Sequence, residues 1–331
     1  MSMEYRSLKA QVGHYFKRPH DDIPTSEVIS EAAWVGSELP AMDELAHVFS
    51  VDEIAEIQSA ITFAKSIKKD TKDLGKADFP LPTIQFLIDI WRRNLSDGIG
   101  FQIIRGLPVD TWTQNDAELF FWGFGLHLGI PGVQNPEGHL LGHVTDTGSD
   151  NADEMVRLYK TSANIQYHCD AADVVGLLCL NAAKSGGKSR IVSSVTVFNR
   201  LLRQNPKLAG RLFEPLMLDR RGEIGRDGLQ FSHIVPSRYA EGKLKTFYHT
   251  DYFRSVSRHP NAPKFTKIEQ ALFDTYEEIA SNPEVYFDMD LIPGDIQLLS
   301  NHTNLHARTD YVDDEDPKKK RHLLRLWLSL D

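Results

Sequence analysis

Little in this chain is in excess, and what is scarce narrows the field. Two cysteines, Cys169 and Cys179, are all that 331 residues contain, and both lie in apolar segments. They build no disulfide framework and read as reduced thiols in a cytoplasm. No apolar run approaches the roughly 18–20 residues that span a bilayer. The opening MSMEYRSLKAQVGHYF lacks the apolar stretch of a secretory signal. Basic residues are outnumbered, 37 Lys and Arg against 46 Asp and Glu, for a net charge of −9. A nucleic-acid binder normally carries the opposite balance. The expected partner is therefore a small molecule, with no nucleic acid and no membrane, while an oligomer stays open.

No internal repeat, low-complexity tract or clear linker interrupts the chain, so one structural unit with insertions is expected. Its 41% hydrophobic content is ample for a core at this length. Residues 1–97 read as a helical region packing on that core. Ser50-Val51-Asp52-Glu53 has capping-box form, and Ile54, Ile57, Ile61 and Ala64 follow at helical spacing. A second helix is expected from about Thr83 to Leu95, and a third, capped at Asn115–Glu118, closes at Gly129. GIGFQIIRGLP (98–108) switches to strand chemistry.

Beyond Glu154 the pattern is mostly β. Expected strands include MVRLYKT (155–161), NIQYHCD (164–170), VVGLLCLNAA (174–183), KSRIVSS (188–194), LKTFYHT (244–250), DIQLLSN (295–301) and HLLRLWLSL (322–330). Two helices interrupt them, VTVFNRLLRQ, stopped by Asn205-Pro206, and TKIEQALFDTYEEIAS. Many short strands between turns predict a mainly β fold with flanking helices, a jelly roll and not a doubly wound sheet.

In YHCDAAD, His168 and Asp170 are two apart, so on a strand both point to one face and Cys169 to the other. Far downstream, NHTNLHAR carries His302 and His306. The closing strand places Arg321 and Arg325 on one face with Leu323 between them. Two imidazoles and one carboxylate form the facial triad of non-haem iron oxygenases, with open positions for a cosubstrate and O2. Two cations facing into a β core need anions, and a guanidinium grips a carboxylate in a bidentate fork. H-x-D alone is a weak signal. Followed after more than a hundred residues by H and then R, it is a strong one.

HCDAADVVGLLCLNAAKSGGKSRIVSS and NHTNLHAR…RHLLRLWLSL resemble the core motifs of the taurine catabolism dioxygenase (TauD/TfdA) family, from about residue 98 to 331. The resemblance implies a double-stranded β-helix that uses Fe(II), 2-oxoglutarate and O2. By position it implies His168, Asp170 and His306 as the catalytic metal ligands. Arg321 would bind the far carboxylate of 2-oxoglutarate. Ser189 stands where the family usually has a hydroxyl-bearing Thr, and Arg325 matches a second arginine near cosubstrate and substrate. Asn164 matches a substrate-contacting position. The first part of the chain has no match for residues that would recognise a sulfonate, which argues against taurine as substrate. Family members that halogenate replace the carboxylate, so Asp170 favours hydroxylation or a related oxidation of a small organic molecule, with release of succinate and CO2.

The residues leave rivals standing. His302 competes with His306 as third ligand, and Arg321 could end the solvated run Lys318–Lys320. Tyr252 and Arg254, in FYHTDYFRS, are candidate substrate residues against a reading as packing. His139, His143 and His249 receive no role. A cupin-like hydrolase or isomerase would keep the triad without 2-oxoglutarate, and a non-catalytic ligand-binding jelly roll would need neither. Succinate formation separates the first reading from both.

Overall fold

The strand Val174–Asn181 carries no charge along VVGLLCLN, so both of its faces must be covered. It is central in the larger sheet, paired antiparallel with Ile296–Ser300 on one side and His322–Ser329 on the other. A computed structural model describes residues 5–148, 161–221 and 228–330. Among these, the sheet runs in the order Ala46–Val48, Phe101–Arg105, Ile296–Ser300, Val174–Asn181, His322–Ser329, Ile130–Pro131, with Leu141–Val144 also on the His322–Ser329 strand. A second, four-stranded sheet runs Phe287–Met289, Ser189–Ser193, Asn304–Arg308, Ile165–His168, antiparallel throughout.

Alternation along the last strand shows what each face does. Leu324, Leu326 and Leu328 join the apolar cluster of Val51–Ile67, Ile84–Asp97 and Gln114–Leu128, the helices on the sheet's outer face. The helix Gln114–Leu128 comes so close that a Cβ on Gly125 would meet Leu326 at 2.6 Å. The intervening residue Trp327 packs instead with Phe101, Val175, Ile191, Met289 and Leu299, between the two sheets. The smaller sheet turns Tyr167, Val192 and Leu305 outward onto the helices Ser194–Gln204, Pro206–Arg211 and Lys267–Ala280. Two facing sheets with helices on both outer surfaces make the expected jelly roll, mainly β with flanking helices.

Several local expectations change. The capping box of the third helix is Thr113 with Asp116, not one built on Asn115, because Thr113 reaches the Asp116 amide. LKTFYHT is a strand only through Lys243–Thr246, with an isolated bridge from His249 to His168, and Thr250–Arg254 is helical. The chain leaves its hairpin there because the Tyr248 carbonyl accepts from the Cys169 amide, carrying the segment over the turn at Cys169 and Asp170. NLHAR forms a strand of its own, Asn304–Arg308. The strand expected at MVRLYKT lies, Thr161 apart, outside the described residues. No helix among the described residues is long and apolar enough to cross a membrane.

Candidate metal centre

His168 ends the strand Ile165–His168, directly opposite His306 on the adjacent strand. Their ring centroids are 4.1 Å apart. Asp170 follows in a turn, not on the strand face the sequence suggests. The reason is that the amides of Cys169 and Asp170 leave the ladder, donating to the Tyr248 carbonyl and to Asn301 Oδ1. Even so, one ligand atom from each of His168, Asp170 and His306 lies within 4.8 Å of the others. Cys169 points the other way, its sulfur among the carbonyls of Thr246 and Asn304.

The electrostatics suit a cation. Burial drives the His306 imidazole down to about 3, with the His168 ring adding to the shift, so His306 is neutral and keeps a lone pair. His168 Nδ1 donates to the Gln166 carbonyl at 2.8 Å, which leaves Nε2 as the available ligand atom. Burial pushes the Asp170 carboxyl up, but Arg325 and the two imidazoles outweigh it and hold it below its ordinary range. Trp327 Nε1 donates to Asp170 Oδ2 at 2.9 Å and fixes its orientation. His306 Nε2 stands 3.9 Å from that same oxygen, too far for a hydrogen bond. The donor set fits a first-row divalent metal.

Around the triad lies a second set of contacts that sequence reasoning missed. Asp173 accepts from His302 Nε2 at 2.7 Å, His14 Nε2 at 2.9 Å and the Leu330 amide at 2.9 Å. His302 is stacked on Tyr15, with centroids 4.6 Å apart, so it is occupied away from the triad. The helix Leu8–Phe16, from which His14 and Tyr15 come, is therefore tied to both ligand-bearing segments. Only the spacing of Leu8, Val12 and Phe16 hinted at that helix.

Arg321 is buried, and its Nη1 has no hydrogen-bond partner among the described residues. Its guanidinium lies 5.1 Å from the ring centre of Tyr311, and that of Arg308 lies 4.8 Å from the same ring. Arg308 shares a strand face with His306, and its Nε and Nη1 are also buried without partners among the described residues. Nothing in the sequence distinguished it from a surface cation. Ser189 Oγ donates to Gln297 Oε1 at 3.0 Å. Arg325 Nε donates to Gln134 Oε1 at 2.8 Å, and its Nη1 stands 3.7 Å from Asp170 Oδ2.

A cavity of about 630 Å³ opens over His168, Asp170, Arg325 and Trp327. Leu8, Val12 and Phe16 form one of its walls. Tyr252 lines it too, stacked on His249 at 3.7 Å, and His249 in turn lies 5.1 Å from the His168 ring. Two expected substrate residues are placed elsewhere. Asn164 is exposed and outside the cavity lining. Arg254 turns away to Glu277 and Asp274, because those carboxylates of the neighbouring helix capture its guanidinium.

The family model for the taurine catabolism dioxygenase TauD, TfdA family matches residues 66–327. The chain belongs to this family. It is accordingly a non-haem oxygenase dependent on Fe(II) and 2-oxoglutarate. It is 29% identical over 313 residues to the FR-33289 synthase of Streptomyces rubellomurinus, covering 94% of this chain and 92% of that one. It is 27% identical to the taurine hydroxylase-like protein SAT17 of Stachybotrys chartarum, covering 89% and 78%. Among solved structures, an asparagine oxygenase in complex with Fe(II), 3-hydroxyasparagine and succinate superposes with a TM-score of 0.66 at 14% identity, over 86% of this chain and 93% of that one. The oxygenase OrfP in complex with iron and α-ketoglutaric acid does so with the same TM-score, over 86% and 94%. These likenesses show the double-stranded β-helix fold of the family.

Proposed function

We propose that His168, Asp170 and His306 hold the iron, and that the enzyme hydroxylates a small organic molecule in the cavity above them. The carrying observation is the convergence of the three ligand atoms within 4.8 Å, with His168 and Asp170 lining the cavity. Arg321 receives the far carboxylate of 2-oxoglutarate, supported by its unpartnered Nη1 in a buried setting. Arg308 adds a second cation beside Tyr311, and Ser189 a hydroxyl. Iron, 2-oxoglutarate and O2 together supply the oxidising equivalents, with succinate and CO2 as the other products.

The chain's own residues do the positioning. Gln166 selects the His168 tautomer, and Trp327 with Arg325 keeps Asp170 ionised and oriented. Leu8, Val12 and Phe16 exclude water from one side of the reacting volume. The cavity volume falls within the usual range for small-molecule sites, about 300–1,000 Å³. The names of the relatives fit that scale, since they refer to FR-33289, uridine 5′-phosphate and asparagine. A cytoplasmic setting is supported by the two buried free thiols.

An anaerobic titration with Fe(II) and then 2-oxoglutarate tests the reading. A visible metal-to-ligand charge-transfer band is expected, followed by slow succinate release when air is admitted. Folded, iron-loaded protein that shows no band would overturn it.

A further inference from the structure

One carboxylate in the cavity wall has a shielded oxygen with no partner among the described residues. Asp251 sits in the first turn of the short helix Thr250–Arg254 and lines the same cavity as His168 and Asp170. Its Oδ2 is shielded from solvent and has no hydrogen-bond partner among the described residues. The other carboxylates of this lining are provided for. Asp170 accepts from Trp327, and Asp219 accepts from Ser255 and His259 and pairs with Arg258.

A first-turn carboxylate that serves only its helix accepts a backbone amide, as Asp116 and Glu269 do here. Asp251 accepts none, so helix capping does not explain it. Burial, the largest influence, raises its pKa, while His168 and Arg221 pull it back. Asp251 is half-buried, but an oxygen kept out of water without a donor is costly, and the usual resolution is a partner that arrives.

The surroundings decide what kind of partner. The Arg221 guanidinium lies 5.0 Å from the ring centre of Tyr252, next in sequence to Asp251, and the metal-binding imidazole of His168 faces the same volume. Positive charge is already supplied, which disfavours a further cation and favours a neutral donor. We propose that Asp251 is a specificity-determining residue, and that its unpartnered oxygen accepts a hydrogen bond from a hydroxyl or amide N–H of the substrate. This deepens the oxygenase reading and rests on it. Asp251 and His168 line the same cavity, with the His249 ring stacked on Tyr252 and 5.1 Å from the His168 ring, so donor group and reacting carbon belong to one bound molecule.

The test uses matched probes on protein first checked for the Fe(II)·2-oxoglutarate band. Dissociation constants are measured by ligand-observed NMR for 1-butanol against methyl propyl ether, and for butanamide against N,N-dimethylbutanamide. The donor-bearing member of each pair is expected to bind wild type about tenfold tighter or more, as for a hydrogen bond to a charged group. That preference should vanish in Asp251→Ala. Should Asp251→Ala not fold, the shape-preserving Asp251→Asn, checked by its melting temperature, should cut the preference at least about threefold. No donor preference in wild type, or one unchanged in the folded variants, overturns the inference while the band keeps the oxygenase reading intact. An absent band overturns the reading and this inference with it.

Discussion

The cavity has two ends that treat their polar groups differently. At the metal end several groups are held, although His306 Nδ1 is buried without a partner among the described residues. Asp170 is fixed by Trp327 and Arg325, His168 by the Gln166 carbonyl, and Asp173 by three donors. Along the wall formed by residues 249–252, Asp251 Oδ2 and His249 Nδ1 are buried without partners among the described residues. The held end is prearranged for one ion and one chemistry, which is what metal binding requires of a site. The open wall stores unmet hydrogen bonds that a particular ligand can satisfy, which is how a site rejects analogues lacking a group.

The largest expected effect breaks the held end outright. His306→Ala should abolish Fe(II) binding and the charge-transfer band, whereas His302→Gln, four residues away, should keep both. Equal loss in the two variants, measured by iron titration, would mean that the Asp173 contacts and the ligand set cannot be told apart. Next comes the cosubstrate. Arg321→Ala should weaken 2-oxoglutarate binding about 100-fold and Arg308→Leu about tenfold, as for charge-assisted hydrogen bonds of about 1.5–3 kcal/mol. Calorimetric titration checks this, and an unchanged affinity in Arg308→Leu would leave Arg308 a purely structural cation.

A smaller effect concerns pH and the metal-free protein. Burial holds the His302 imidazole down to about 4, with Asp173 pulling the other way. That lies below the unfolded value of about 6.5, so as pH falls the unfolded chain takes up the proton first. The contribution is full above about pH 6.5 and is lost progressively as pH drops toward 4, on the order of 2–3 kcal/mol. Asp173, which burial pushes up but the His302 and His14 hydrogen bonds hold well below the usual range, loses its share only at lower pH still. Urea unfolding at several pH values should show this slope, and His302→Gln should flatten it. The smallest effect belongs outside the cavity. Arg254→Gln should cost about 1 kcal/mol or less of stability, its ion pairs being partly exposed, and leave iron and 2-oxoglutarate binding unchanged. A marked change in ligand binding would bring Arg254 back to the open wall.

The contrast between the two ends also separates what could be read in one dimension from what could not. H-x-D is local, and the late histidine and arginine stand in a short motif, so these positions are visible before any folding is considered. The choice between His302 and His306 is not visible. It depends on the strand beginning at Asn304 and on Asp173 taking up His302, a contact across 129 positions. Arg254 and Asp251 are three residues apart in one aromatic-rich segment. One turns to Glu277 and the other to the cavity, a consequence of helix rotation that a string of letters does not express. Arg308 is ambiguous for the same reason, being buried because its strand runs beside Ser189–Ser193.

Sequence by itself determined the chemistry. The ligand types, their order and the arginine after them specify an iron centre with a dicarboxylate, because metal and carboxylate recognition need those atoms whatever the surroundings. It also determined the fold class, since alternating short strands between turns can bury their apolar faces only by stacking sheets. Tertiary structure decided the selectivity. The wall of Leu8, Val12 and Phe16, the staple at Asp173 and the unsatisfied carboxylate of Asp251 exist only where segments hundreds of residues apart are brought together. A cavity is defined by what surrounds it, and its neighbours in space are not its neighbours in the chain.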